Sequence, residues 1–145
     1  MAERYNHACE RRVVLGFDYG LQRIGIAVGQ RVTGTASAVC TLQSRDGKPD
    51  WDEISVLIEE WQPDILVVGL PLHADGSESE TSLAARRFAR SLEGRYCLPV
   101  YTMNEHLSSH AAEGLRSADR QAHKHGIDAV AARIILQDWL DMHAT

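Results

Sequence analysis

The sequence predicts an α/β fold in which a mixed five-stranded sheet, an antiparallel hairpin meander followed by parallel strands, is flanked by helices. Three observations carry this expectation. Between Val13 and Leu42 three β-prone runs succeed one another through short polar turns. Beyond them, apolar runs alternate with helical periodicities, the pattern of strands joined by crossover helices. Finally, 145 residues at 44% hydrophobic content can bury a core without help from disulfides or metals.

Residues 1–12 carry charge and no apolar period, so they read as a flexible tail ahead of a single domain spanning 13–145. Val13 to Phe17 is continuously apolar and ends at Asp18, as expected of a strand covered on both faces. Tyr19 to Arg23 form a tight loop into a second strand, Ile24 to Val28. A turn at Thr33 and Gly34 leads to a third, Thr35 to Leu42. Asp50 is placed as an N-cap, and Ile54, Leu57, Ile58 and Trp61 recur at helical offsets before Pro63 closes the helix. Ile65 to Val68 is a buried strand ending at Gly69, after which Leu70 to Ser79 is a polar loop. A helix from about Ser79 to Glu93 buries Ala84, Phe88 and Leu92 and stops at Gly94. A fifth strand covers Pro99 to Met103, a short helix from Ser108 or Ser109 reaches Leu115, and the last helix runs from about Ile127 to Met142.

Composition excludes several classes. Eleven glycines and four prolines lie near average usage, which removes collagen-like and disordered architectures. No apolar run approaches a bilayer span and the first dozen residues are polar, so neither a signal peptide nor a membrane partner is expected and the cytoplasm is the expected location. Cys9, Cys40 and Cys97 are too far apart for a zinc site or redox pair. A net charge of -5 argues against coating nucleic acid by bulk charge but leaves a local basic face open.

Three acids stand where secondary structure changes: Asp18 ends the first strand, Glu105 follows the fifth and Asp128 opens the last helix. If strands one and five run parallel in one sheet, their carboxyl ends share an edge, and the last helix need only pack there. Carboxylates about 5 Å apart repel by roughly 3 kcal/mol per pair at an effective dielectric near 20, so such a cluster calls for protonation or a cation. An all-oxygen site suits Mg²⁺ or Mn²⁺, which serve phosphodiester hydrolysis. Singly, each acid has a plainer reading: a turn-forming Asp18, a loop Glu105, a dipole-favoured Asp128.

The strings VVLGFDYGLQRIGIAVGQRVTGTA, VVGLPLHADGSES and NEHLSS, followed by Asp128 in a terminal helix, resemble the YqgF family of Holliday junction resolvases and pre-16S ribosomal RNA nucleases. The resemblance covers the chain from Val13 onward. It implies a ribonuclease H-like fold and a metal-dependent phosphodiesterase, with Asp18, Glu105 and Asp128 as metal and catalytic acids and Mg²⁺ or Mn²⁺ as cofactor. Tyr19 and Gly20 would support the first acid, and Asp75 would shape the loop over the site. The implied partner is nucleic acid, either pre-ribosomal RNA or branched DNA, and with it ribosomal particles; a monomer and a homodimer both remain open.

The chain departs from the family where an Asp-Glu-Arg triplet is usual, carrying Asn104, Glu105 and His106. Asn104 keeps a carbonyl oxygen but loses a charge, and His106 lacks a guanidinium's two-pronged phosphate contact. His73 and His125 are further departures. Arg23, Arg86, Arg87, Arg90 and Lys124 are the basic residues expected to track phosphates, a solvated helix face being the alternative for the three on the third-from-last helix. Two other functions stay open at this point. One is a nucleic-acid-binding ribosome-biogenesis or transcription factor that retains the fold without cutting. The other is an actin-like ATPase, disfavoured because such enzymes clamp nucleotide between two domains of this kind.

Overall fold

Val13–Tyr19 forms β1, the strand around which the others assemble in this computed structural model, which describes residues 13–45, 48–71, 80–104 and 127–143. β2 (Arg23–Gln30) and β3 (Thr35–Arg45) complete an antiparallel meander, and β4 (Lys48–Pro49) pairs with the end of β3. Helix α1 (Trp51–Trp61) crosses to β5 (Ile65–Leu70), α2 (Glu80–Tyr96) crosses to β6 (Val100–Asn104), and α3 (Ile127–Met142) closes the described chain. The sheet order is β4-β3-β2-β1-β5-β6, with β5 parallel to β1 and β6 parallel to β5. Meander and parallel strands thus stand as the sequence predicts; the sheet has six strands rather than the expected five because β4, two residues long, is too short to leave a periodic signal.

Alternation along β1 divides the core between the two sheet faces. Leu15 and Phe17 pack with Ile54 of α1 and with Phe88 and Leu92 of α2. Val14, on the other face, packs with Ala132, Leu136 and Trp139 of α3. α3 therefore has one side of the sheet and α1 and α2 have the other. Gln137 fastens α3 to the β2–β3 turn: its Oε1 accepts from the Ala36 amide at 3.0 Å and its Nε2 donates to the Gly34 carbonyl at 2.7 Å. Gly34 adopts a φ of +67° there, a conformation glycine takes without the Cβ penalty.

Helix boundaries follow local chemistry. The Asp50 carboxylate accepts from the amides of Asp52 and Glu53, the cap expected of it. Gln62, in the left-handed region, ends α1 by donating its amide to the Ile58 carbonyl. The expectation that α2 stops at Gly94 is corrected: the helix continues to Tyr96, and Cys97 takes the left-handed turn with φ +55°. Gly94 faces open space and can stay helical, while the Tyr96 hydroxyl meets the Ser55 hydroxyl at 2.8 Å and ties the last turn to α1. Ser82, Ala85 and Ala89 join Phe88 and Leu92 as buried residues of α2, and Ala84 is only half-buried.

Burial, and then the neighbouring Asp141 carboxylate, push Asp138 above its ordinary 3.8. An acid held more strongly protonated in the fold contributes stability that is full below its ordinary pKa and lost as pH rises through the native value. Asp138→Asn is therefore expected to raise the melting temperature at pH 7 by no more than about 2 °C, the scale of a surface substitution, and to leave it unchanged near pH 3. Thermal denaturation at the two pH values checks this.

Candidate active site

At the carboxyl end of the parallel strands, one register row runs across four strands: Gly25, Asp18, Gly69 and Met103. Residues of a row share a sheet face. Met103 packs in the α3 cluster, and two positions before Asp18 a Cβ added at Gly16 would lie 2.9 Å from Leu136 Cβ. Asp18, half-buried, therefore projects on the α3 side.

Asp128 arrives on that side in the first turn of α3, where the positive end of the helix dipole favours a carboxylate. Its backbone rests on Gly25. A Cβ added there would overlap the Asp128 carbonyl oxygen and stand 2.7 Å from the Ala129 nitrogen. Because Gly25 lies directly opposite Asp18, and such Cα pairs are about 4.5–5.5 Å apart, the two aspartates flank a strip one strand wide. Further along, a Cβ at Gly29 would press on Leu140 at 2.8 Å. Gly25, Ala27 and Gly29 are thus a track of small residues along which α3 lies. The sequence carries this signal as alternate small residues in and just past the β-prone run from Ile24 to Val28.

Arg23 donates from Nε to Asp128 Oδ2 at 3.0 Å, with side-chain exposures of 63% and 30%. So exposed a pair adds about 1 kcal/mol or less to stability. Its meaning is chemical, since the carboxylate already draws a cation. Gly20 opens the turn that brings Arg23 round, where an added Cβ would lie 2.7 Å from the Arg23 carbonyl oxygen. Ser44, which the sequence did not single out, holds that turn: its hydroxyl donates to the Leu21 carbonyl at 2.9 Å and its amide to that of Gln22.

The remaining predicted residues fall elsewhere. Tyr19 points to the opposite face, buried against Phe88. Burial raises its hydroxyl pKa, and the nearby Arg87 guanidinium opposes that rise. Arg86, Arg87 and Arg90 are exposed on α2, in the layer across the sheet from Asp18 and Asp128, so the structure does not bring them onto the aspartate face. Asn104 is exposed at the last position of β6, and strand alternation turns it away from the side Met103 occupies. Glu105, His106, Asp75, Lys124, His73 and His125 lie outside the described residues, as do the 1–12 tail and the short helix expected before Leu115.

Among the described residues no three His, Cys, Asp or Glu side chains are grouped to hold a metal ion. The two acids at this edge, Asp18 and Asp128, could offer only oxygen to a metal, the chemistry that suits Mg²⁺ or Mn²⁺. No described helix is long and apolar enough to cross a membrane.

A sheet of this order, with one helix against its aspartate-bearing face and two behind it, defines the ribonuclease H-like class of resolvase folds. Thermus thermophilus RuvC in complex with a Holliday junction substrate matches at a TM-score of 0.56 and 14% identity, covering 90% of this chain and 94% of that one. The fowlpox virus Holliday junction resolvase matches at 0.54 and 12%, covering 90% and 99%. These likenesses establish the fold. Residues 12–142 match the family model described as RuvX: Holliday junction resolvase. A Pseudomonas paraeruginosa protein bearing the name "Putative pre-16S rRNA nuclease" is 50% identical over 135 residues, 91% of this chain and 94% of its own. One of the same name from Pseudomonas fluorescens is 48% identical over 137 residues, 92% and 94%. The chain belongs to the RuvX family, the YqgF family that its sequence resembles.

Proposed function

We propose that this protein is a divalent-metal-dependent endonuclease that hydrolyses phosphodiester bonds in the 5′ region of pre-16S ribosomal RNA. The observation that supports the reading is that Asp18 stands opposite Gly25 in the sheet register while the Asp128 backbone packs on that same glycine. Relatives at half identity bearing that nuclease name favour RNA over the branched DNA of the family description. Precursor ribosomal particles are then the expected partners and the bacterial cytoplasm the place of work.

In this reading Asp18 is held by strands on both sides and Asp128 by the start of a helix, so the backbone positions of both acids are fixed before substrate arrives. Glu105, which follows β6 directly in sequence, is the proposed third acid. Mg²⁺ or Mn²⁺, when bound, supplies activation of the attacking water and charge stabilisation at the leaving oxygen. Arg23, exposed and already beside Asp128, is the residue best placed to exchange that carboxylate for a substrate phosphate.

The test incubates the full chain with an RNA carrying the precursor 5′ extension, and with a four-way DNA junction, in Mg²⁺, Mn²⁺ or EDTA. Cleavage of the RNA in metal and none in EDTA is expected. Binding of both substrates without cleavage, with Asp18→Asn binding equally well, would overturn the enzyme in favour of a binding module.

A further inference from the structure

Across the sheet from the aspartates, a cavity of about 560 Å³ opens between α2 and the corner where β4 turns into α1. Its volume is in the range of about 300–1,000 Å³ typical of small-molecule sites. Tyr19, Trp51 and Phe88 form its aromatic part. Phe88 stands 5.0 Å from Tyr19 and stacks on Trp51 at 5.6 Å and 26°, while the Arg95 guanidinium covers Trp51 at 4.2 Å. Rings fixed in this way have little freedom left to lose on binding. Lys48 and Arg87, both exposed, are its charged lining, and no acid is among the described residues that line it. On a chain of net charge -5 that local sign is unexpected. The adjoining groove, which shares Lys48 and Pro49, contains Asp50 and Glu53 and lacks this character.

We propose that this cavity binds one unstacked nucleotide of single-stranded RNA, its base in the apolar slot between Leu21, Pro49 and the part-exposed Trp51, over a floor of buried Tyr19 and Phe88, and its phosphate between Lys48 and Arg87. An apolar slot bordered by an indole accepts any base without reading its hydrogen bonds, and two exposed cations on the same lining suit a phosphate rather than a hydrophobic peptide. Its position adds the second reason. Tyr19 follows Asp18 in β1, so the two side chains leave the same strand end toward opposite faces. A strand crossing the carboxyl edge of the sheet would meet the aspartates on one side and this cavity on the other. The site rests on the nuclease reading for its choice of RNA, and it would anchor a single-stranded stretch beside the scissile bond.

The test uses the full chain in EDTA, so that no cleavage is needed. A uridine tetranucleotide carrying one 4-thiouridine is photo-crosslinked and also titrated by fluorescence anisotropy. Crosslinks are expected in peptides containing Lys48 to Trp51 or Ala84 to Ser91. Lys48→Ala combined with Arg87→Ala, and separately Trp51→Leu, should each weaken binding by about tenfold. The cationic pair is exposed, so that double variant should keep the wild-type circular dichroism spectrum even if Trp51→Leu unfolds. Unchanged affinity in the folded double variant, no binding by the wild type, or crosslinks confined to the Asp18 side would overturn the site. So would loss of a dimer in the double variant with RNA binding intact, which would make a second copy the occupant. Crosslinking here by a protein that cuts nothing would sink the nuclease reading and leave this one standing.

Discussion

Asp18→Asn is expected to lower metal-dependent cleavage by at least about 100-fold while leaving the fold intact, and Asp128→Asn is expected to do the same. The substitution keeps shape and removes charge. Asp18 is only half-buried, so its amide is not stranded in a dry core, and Asp128 loses just an exposed ion pair with Arg23. What both variants lose is an anionic oxygen on the sheet face where Asp18 stands opposite Gly25 and the Asp128 backbone rests on it. If the acids act as one unit, the double variant is hardly slower than either single one. Single-turnover cleavage by the single and double variants measures both effects; unaltered cleavage in either single variant would remove that residue from the site.

Gly25→Ala should be the most damaging single methyl in the described structure. The new Cβ would overlap the Asp128 carbonyl, and backbone cannot rotate aside as a side chain can. Overpacking of this kind costs about 1–3 kcal/mol, and each kcal/mol lowers the melting temperature of a domain this size by about 2–4 °C. Relief comes by lifting the start of α3 off β2, which carries Asp128 away from Asp18, so cleavage should fall with stability. Gly94→Ala is the matched control: it lies in a helix with nothing within 4 Å and should stabilise by up to about 1 kcal/mol. Equal melting temperatures for the two variants would refute the close approach.

The strands were legible because burial on both faces writes itself as unbroken apolar runs, as in VVLGF and ILVV, and α1 was legible because Asp50 and the Ile54–Leu57 spacing announce it. The end of α2 was misread at Gly94. Glycine marks helix ends only on average, and here a contact 41 residues away, between Ser55 and Tyr96, extends the last turn. Of the candidate site, Asp18 and Asp128 were named from their positions at element ends. The arginines of α2 were joined to them by sign of charge alone, which carries no information about which layer a helix occupies.

By itself the sequence determined the order of the longer elements and the direction of the strands, and named the acids as candidates, because these depend on local periodicity and on residue chemistry. The tertiary structure alone decided that Asp128 stands over Gly25 beside Asp18, that Arg23 reaches Asp128, and that Tyr19 and Arg87 line a cavity on the far face. Those relations join residues up to about a hundred positions apart through close packing, and packing is set by which surfaces fit together rather than by any repeat along the chain.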